Sequence, residues 1–233
     1  MNAAQPETRL FSDAVEAMRT KIARFGALLY QRQLTDAAGG NLSARVDDLL
    51  VMSPRYAGSK HQWALRPEQV LVVTLDGRVL AGEGDISREA KVHLKLHRDF
   101  HEHGTGVIHA HARNILVFAA LGIPMPPVLE ATRKFGEVPV IEFAPSHSVD
   151  LAERVAKAIG AQTEKIAKQA AGVIAPWHGI FVMGKNIDHA FDAVERFDVN
   201  AYCILMAELL KKSDLLSGER ARLEAACRLY EHD

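Results

Sequence analysis

The sequence Val107-Ile108-His109-Ala110-His111 is a short β-rich stretch, and it precedes a predicted helix at residues 114–121. Successive side chains on a strand alternate between its two faces, so His109 and His111 are expected to project together. Two imidazoles on one face can occupy neighbouring positions on a transition metal, at about 2.0–2.1 Å. Two ordinary histidines near a strand end fit the same five residues, so this motif alone leaves both interpretations open.

The segments around this motif predict one α/β domain, with a central, mainly antiparallel β-sheet covered by helices on both sides. The predicted domain spans residues 1–233, with its core at about 12–212. Further strands are expected at residues 42–46, 49–53, 69–75, 78–81, 138–143 and 172–183, the last hinged at His178-Gly179. Further helices are expected at residues 12–33, 87–103, 148–160, 187–212 and 218–230, the first with Ser12 as its N-cap. The order of the strands in the sheet does not follow from the sequence.

Length and charge exclude several functional classes. The 233 residues are long enough for one well-buried core, and a net charge of -1 without a run of Lys or Arg predicts no nucleic-acid partner. The longest apolar runs, such as residues 115–127, are well short of the ~20 residues of a spanning helix, so no membrane partner is expected. Cys203 and Cys227 make no disulfide framework, which favours a cytoplasmic protein. The 11 histidines invite a search for metal-ligand spacing.

A third histidine stands at a strand break, in Ala175-Pro176-Trp177-His178-Gly179. Between Pro and Gly, a histidine can be held where the backbone comes close to a ligand, although the motif alone is also typical of an ordinary turn. Three histidines with one open position form the arrangement expected of a catalytic divalent site rather than a structural one.

The segment Ser87-Arg88-Glu89 opens the helix predicted at residues 87–103. Glu89 lies in the first turn, where the positive end of the helix dipole favours a carboxylate. A helix-stabilising surface glutamate and a catalytic carboxylate are therefore both open interpretations. Three histidines, His93, His97 and His101, recur four residues apart on the same helix and form a rival metal site, although such a stripe is also typical of a solvated or supporting face.

The stretch Gly39-Gly40-Asn41-Leu42-Ser43 is a candidate anion site. Glycines let the backbone approach an anion closely, and successive N–H groups can cradle a phosphate, although the stretch alone is typical of a turn. Further anion donors nearby in the sequence are Arg55, Ser59, Lys60, Ser87 and Arg88.

Taken in order, these motifs resemble the class II aldolase and adducin family over about residues 12–212. The matching residues are Gly40-Asn41-Leu42-Ser43, Ser53-Pro54, Ser87-x-Glu89 followed by His93, His109-x-His111, and His178-Gly179. The resemblance implies that His109, His111 and His178 are metal ligands. It also implies that Glu89 is the catalytic acid/base and an additional neighbour of the metal.

The same resemblance implies a phosphorylated sugar substrate, a divalent cation and a homotetramer with its sites at subunit interfaces. The implied phosphate-binding residues are Gly40, Asn41, Ser53, Ser87 and Arg88. One cation is expected per subunit, Zn²⁺ or Mn²⁺, and Co²⁺ or Fe²⁺ suit histidine and carboxylate ligands as well.

The expected reaction is that of a metal-dependent aldehyde-lyase, which cleaves a ketose 1-phosphate to dihydroxyacetone phosphate and an aldehyde. The cation would act as a Lewis acid, and Glu89 would transfer the proton at C3. Candidate substrates are the 1-phosphates of 5-deoxyribulose, 5-methylthioribulose and fuculose, and residues 131–136 and 144–148 favour the two short-chain ones. The alternative is a metal-dependent dehydratase of the methylthioribulose-1-phosphate type.

Three departures separate the sequence from the fuculose-phosphate aldolase pattern. Arg88 stands where that pattern has a second serine, and Arg55-Tyr56 replaces a threonine-glycine pair. The interface tyrosine that protonates the leaving aldehyde has no counterpart around residues 124–130. Candidates to replace it are Tyr30, Tyr56, Tyr202, Tyr230 and Glu130. Phosphate binding is still expected, but specificity for a deoxyhexulose phosphate is not.

Overall fold

Seven antiparallel strands form one sheet in the computed structural model of the chain, which describes residues 11–211. In chain order they are β1 (Asn41–Val46), β2 (Leu49–Met52), β3 (Leu71–Thr74), β4 (Val79–Ala81), β5 (Gly106–Ala110), β6 (Ala170–Ala175) and β7 (Gly179–Gly184). Across the sheet the order is β4-β3-β2-β1-β5-β7-β6, and every neighbouring pair is antiparallel. The predicted antiparallel sheet is confirmed.

Helices surround this sheet. Within residues 11–211 they are α1 (Asp13–Gln31), α2 (Ala57–His61), α3 (Ala90–Phe100), α4 (Ile115–Leu121), α5 (Glu130–Arg133), α6 (Val149–Gly160), α7 (Thr163–Lys168) and α8 (Ile187–Lys211). The predicted N-cap of α1 is present, because the Ser12 hydroxyl accepts the N–H of Val15. The Ser148 hydroxyl caps α6 by accepting the N–H of Leu151. In the part of the chain that is described, no helix has the length and apolarity that a membrane crossing requires.

The structure differs from the predicted elements at two places. The helix predicted from Ser87 begins at Ala90, and Glu89 occupies its N-cap position. The strand predicted at residues 138–143 is reduced to isolated bridges at Val138 and Val140, and Pro139 between them has no N–H to donate to a ladder. The helix predicted at residues 218–230 lies outside the described residues.

The sheet buries both of its faces, as predicted. Ile108 of β5 points to a cluster that includes residues of α1, α4 and α8. Its neighbour Val107 points to the opposite cluster, which contains residues of α3, α6 and α7. This alternation follows from the two-residue period of a strand, and it places His109 on the same side as Val107, facing α3.

One edge of the sheet gathers the chain segments that form the site. β5 ends there, and β1 and β7 begin there, because both run antiparallel to β5. His109 of β5 lies opposite Asn41 of β1 on one side and Phe181 of β7 on the other. The turn at residues 176–178 between β6 and β7 lies at the same edge. Residues far apart in the sequence thereby meet around His109.

Candidate active site

Three histidines converge at this edge of the sheet. One ring nitrogen from each of His109, His111 and His178 lies within 4.8 Å of the others. Among residues 11–211 this is the one group of three or more histidine, cysteine or carboxylate side chains that could hold a metal ion. The Nε2 atoms of His109 and His178 are 3.0 Å apart. The structure thus brings together the three residues that the sequence predicted as metal ligands.

Hydrogen bonds at Nδ1 orient two of these imidazole rings. His109 Nδ1 donates to the carbonyl oxygen of Ile180 at 3.0 Å, since a carbonyl can only accept. His111 Nδ1 lies 3.3 Å from a carboxylate oxygen of Asp36, which likewise can only accept. Both rings therefore leave Nε2, and not Nδ1, for the centre of the group. His178 Nδ1 lies 2.8 Å from the Ser146 hydroxyl. Such outer partners are the usual support of metal-binding histidines.

Burial keeps two of the converging rings, His109 and His178, neutral. Burial, followed by the neighbouring histidines, holds the pKa of His109 well below its ordinary value of 6.5. Burial and then His111 and His147 lower the pKa of His178 to about 4. Neutral imidazole is the form that binds a metal. Three imidazole nitrogen donors with supporting hydrogen bonds fit a divalent transition metal, so this group could hold one.

Two glycines make room for the imidazoles. A β-carbon on Gly39 would lie 1.9 Å from His111 Cε1. A β-carbon on Gly179, whose φ is 154°, would lie 2.5 Å from the carbonyl oxygen of Ala110 and 3.1 Å from His111 Cδ2. Gly39 was predicted as part of an anion-binding loop, and in the structure it provides the space in which the His111 ring lies.

Glu89 lies beside the histidines, and its residue is only 5% exposed. Its Oε1 is 3.6 Å from His178 Nε2 and 2.7 Å from His147 Nδ1. Burial raises the pKa of the Glu89 carboxyl, and the nearby His147 acts in the opposite direction. Its Oε2 is buried without a hydrogen-bond partner. A buried carboxylate with a raised pKa and one free oxygen suits a proton transfer in the cleft.

The cleft at the histidines has a volume of about 350 Å³. The predicted site residues that line it are Gly40, Asn41, Ser87, Arg88, Glu89, His109, His111 and His178. Asn41 Nδ2 donates to the Ser87 hydroxyl at 3.1 Å, and Asn41 Oδ1 is buried without a partner. Ser53 departs from its predicted place: it is fully buried, it does not line the cleft, and its hydroxyl accepts the N–H of Leu42 at 3.0 Å.

Cationic side chains surround one phenol on the wall of this cleft. The Arg55 guanidinium lies 4.5 Å and the Lys60 ammonium 4.9 Å from the centre of the Tyr56 ring. A hydrogen bond from Arg88, together with these charges, lowers the pKa of Tyr56. The Nε of Arg55 is buried without a partner. This wall of the cleft is suited to an anionic group.

The rival histidine stripe on α3 does not form a metal group. His93 and His97 are fully buried, and their ring nitrogens lie 2.6 and 2.8 Å from the Ser43 hydroxyl of β1. His101 is exposed at the end of α3. The pair His93 and His97 therefore joins α3 to β1 in the core.

Sequence reasoning missed three residues that support the site. Asp36 accepts the N–H groups of Ala38 and Gly39 and so orders the loop that leads into β1. It also faces His111. Ser146 contacts His178, and His147 contacts Glu89. The last two lie in the segment 144–148, which the sequence singled out only as a hint of substrate. No local pattern places either of them beside its partner.

The comparisons with known proteins agree with this geometry. Residues 20–205 match the family described as Class II Aldolase and Adducin N-terminal domain. A 5-deoxy-D-ribulose 1-phosphate aldolase of Bacillus thuringiensis is 26% identical over 200 residues, which cover 85% of this chain and 89% of that protein. A 3-oxo-tetronate 4-phosphate decarboxylase of Cupriavidus necator is 28% identical over 193 residues, covering 79% of this chain and 82% of that protein.

A solved structure supports the fold assignment. An L-fuculose 1-phosphate aldolase superposes with a TM-score of 0.73 at 25% identity, covering 94% of this chain and 98% of that chain. The similarity therefore extends over the sheet and all the segments that meet at the cleft.

Proposed function

This chain belongs to the class II aldolase and adducin family, and we propose that it is a metal-dependent lyase that cleaves a sugar phosphate. One observation carries the proposal: three histidines converge within 4.8 Å, and the buried Glu89 lies beside them in the same cleft. A non-catalytic scaffold would have no need to keep a buried carboxylate with a raised pKa next to such a group.

His109, His111 and His178 would hold the divalent cation, which supplies Lewis-acid stabilisation of charge on the substrate oxygens when it is bound. Glu89 would transfer the proton at the substrate carbon, because its Oε2 has no hydrogen-bond partner and burial raises the pKa of its carboxyl. Burial of this carboxylate limits water around the transferred proton. Zn²⁺ and Mn²⁺ stay the predicted cations, and a cytoplasmic location stays a prediction from the sequence.

The substrate phosphate would bind along the part of the cleft that Gly40, Asn41, Ser87 and Arg88 line. Gly40 and Asn41 lie at the start of β1, and Ser87 and Arg88 precede α3, so four residues from two segments face one space. Arg88 can bind an anion through its planar guanidinium, where a serine could offer only one hydroxyl. Ser53 would act indirectly, since its hydroxyl is occupied by the backbone of β1.

We infer that the substrate is a short-chain ketose 1-phosphate, with 5-deoxyribulose 1-phosphate as the first candidate. The similarity to the Bacillus thuringiensis protein supports this choice. Fuculose 1-phosphate and 5-methylthioribulose 1-phosphate are the next candidates. The reaction would release dihydroxyacetone phosphate and a small aldehyde, and cleavage of the bond between C3 and C4 would leave the proton transfer at C3 to Glu89.

The deciding experiment measures dihydroxyacetone phosphate release from 5-deoxyribulose 1-phosphate. Protein treated with a chelator is compared with protein reloaded with Zn²⁺ or Mn²⁺, and Glu89→Gln is assayed with the same metals. We expect no release without metal, release after reloading, and a loss of about 10²–10⁴-fold in the variant, the range of general acid–base catalysis.

A measurement of metal content distinguishes metal binding by the three histidines from proton transfer by Glu89. Glu89→Gln should still bind the cation, because the three histidines are intact. A protein that binds neither Zn²⁺ nor Mn²⁺ would contradict the lyase assignment altogether. Bound metal without release of dihydroxyacetone phosphate from any of the three sugar phosphates would favour the dehydratase alternative.

A second candidate is decarboxylation of a 3-oxo sugar acid phosphate. The observation that favours it is the cationic wall formed by Arg55, Lys60 and Arg88 around Tyr56, which could take a carboxylate as well as a phosphate. The similarity to the Cupriavidus necator protein points the same way. With 3-oxo-tetronate 4-phosphate this reaction would release both CO₂ and dihydroxyacetone phosphate, whereas the aldolase reaction releases no CO₂.

A further inference from the structure

We propose that His147 is a positioning residue that holds the Glu89 carboxylate by one oxygen and leaves the other oxygen for proton transfer. This inference rests on the proposed function, because it assigns a task to the carboxylate that the lyase reaction needs. It concerns a residue that neither the ligand pattern nor the phosphate pocket includes.

Two donors of the same residue reach the same carboxylate oxygen. His147 Nδ1 lies 2.7 Å from Glu89 Oε1, and the His147 backbone N–H donates to that oxygen at 3.1 Å. The other oxygen, Oε2, is buried and has no hydrogen-bond partner in the described chain. The two donors therefore occupy one carboxylate oxygen and leave the other without a protein partner.

The backbone around His147 is held in the conformation that this contact requires. His147 has a φ of 66°, in the left-handed region that residues with a β-carbon rarely adopt. Its carbonyl oxygen accepts a hydrogen bond from Lys91 Nζ at 3.0 Å. The next residue, Ser148, caps α6. The loop is thus attached to the start of α3 at two points, Glu89 and Lys91, and its far end is fixed by a helix.

The consequence is a carboxylate with one defined orientation. An unsupported glutamate can rotate about its last side-chain bond, so either oxygen could face the cleft. The two donors of His147 remove that freedom. The Ser87 hydroxyl accepts the backbone N–H of Glu89 at 3.2 Å and so helps to fix the backbone from which this side chain extends. His147 is 44% exposed in its side chain and lies at the rim of the cleft, so it can support Glu89 without occupying the ligand position.

The test uses two substitutions of His147 that distinguish the contribution of its side-chain donor from that of its backbone N–H. His147→Gly removes the ring but tolerates the positive φ and keeps the backbone donor. His147→Asn also tolerates this backbone region and restores a side-chain N–H donor. His101→Asn, at the exposed end of α3, is the control for loss of a surface histidine.

The zinc-loaded full-length protein is assayed with 5-deoxyribulose 1-phosphate. We expect His147→Gly to lower kcat by about 10–100-fold, the usual effect of losing an outer partner of a catalytic group, with KM and zinc content unchanged. His147→Asn should recover part of the loss, and His101→Asn should match the unaltered protein. A kcat for His147→Gly equal to that of the unaltered protein, or a fall explained by lost zinc, would overturn the proposal.

A readout without turnover separates this proposal from the proposed function. In a ¹H–¹⁵N spectrum of the zinc-loaded protein, the His147 ring should show a hydrogen-bonded Nδ1 whose signal shifts in Glu89→Gln. If no sugar phosphate is cleaved, the proposed function fails, and the spectrum still decides whether His147 holds Glu89. A His147 signal that is unaffected by Glu89→Gln would sink the positioning role even in an active enzyme.

Discussion

Glu89 shows how burial changes the meaning of a residue type. In the sequence it has the features of a helix-stabilising glutamate, which ordinarily stays exposed and ionised. In the structure it lies at the N-cap position of α3 with 5% of its surface exposed, and burial raises the pKa of its carboxyl. The dipole of α3 and the donors of His147 act in the opposite direction, because both favour the charged form of the carboxyl.

Gly39→Ala tests whether the space beside His111 matters for metal binding. The added methyl group would lie 1.9 Å from His111 Cε1, so the ring must leave its position. We expect zinc affinity to fall by about 10-fold or more, while thermal unfolding of the chelated protein changes little. Competition with a chelator measures the Kd for zinc. Ala38→Ser, an exposed neighbour on the same loop, should leave that Kd unchanged, and an unchanged Kd in Gly39→Ala would contradict the prediction.

Stability should depend on pH through the buried histidine His93. The unfolded chain protonates this ring below a pH of about 6.5. Burial lowers the pKa of folded His93 to about 3, so the folded state does not take up that proton. The free energy of unfolding should therefore fall as pH decreases from about 6.5, by up to about 1.4 kcal/mol per pH unit for this residue. The same direction is expected for His97, whose pKa burial also lowers.

Denaturant unfolding of the chelated protein between about pH 7 and pH 5 measures this slope. His93→Gln removes the titrating ring and keeps a side chain that can reach the Ser43 hydroxyl. In this variant the pH slope of the unfolding free energy should be smaller by the equivalent of about one bound proton. Identical slopes in the two proteins would show that His93 does not carry the pH dependence.

At the scale of elements, local patterns and long-range contacts contribute differently. The N-caps of α1 and α6 and the turn between β6 and β7 follow from adjacent residues. The start of α4 does not, because its first backbone N–H groups donate to a side chain of another helix. Asp198 of α8 accepts the N–H groups of Asn114 and Ile115 at 2.9 and 3.2 Å. A carboxylate at this helix start also complements the helix dipole.

Asp198→Ala should destabilise the fold by about 1–3 kcal/mol, because it leaves buried backbone N–H groups of α4 without an acceptor. Asp198 is 8% exposed, so water cannot readily replace the lost carboxylate. The matched control is Glu195→Ala on the same helix, which breaks an exposed ion pair with Arg32. That change should cost about 0–1 kcal/mol. Urea unfolding compares the two, and equal effects would argue against a capping role for Asp198.

At the scale of the whole molecule, an apolar patch stands at the rim of the cleft. It consists of Leu121, Phe143 and Trp177, which are 65%, 54% and 77% exposed. The Phe143 and Trp177 rings are 5.4 Å apart, and Trp177 Nε1 donates to the carbonyl of Ala120 beside Leu121. Exposed patches of this kind often mark contacts between proteins. The homotetramer with sites at subunit interfaces stays a prediction, and this patch is a surface on which it can be tested.

Light scattering of the purified protein should give a mass of about 102 kDa, four times the 25.6 kDa of one chain. Leu121→Glu places a charge on the patch and should shift the protein toward smaller species. Thr20→Glu, an exposed position on α1 away from the patch, is the control and should keep the mass of the unaltered protein. A mass of about 26 kDa for the unaltered protein would contradict the tetramer.

The sequence by itself determined the alternation and capping of the elements. The β-rich stretch that ends in His109-Ala110-His111, the turn histidine His178 and the helix after Ser87 are local signals, since each depends on residues within a few positions of one another. Together with the family resemblance they predicted the α/β class, the three converging histidines and the cleft position of Glu89.

Only the tertiary structure decided which residues support those histidines. Asp36 and His111 are 75 positions apart, and His147 and Glu89 are 58 apart, so no periodicity relates either pair. The structure also buried Ser53 behind β1 and joined the α3 histidines to the core. The physical reason is that periodicity records which face of an element is buried. The packing of antiparallel strands then determines which distant loops meet at one edge of the sheet.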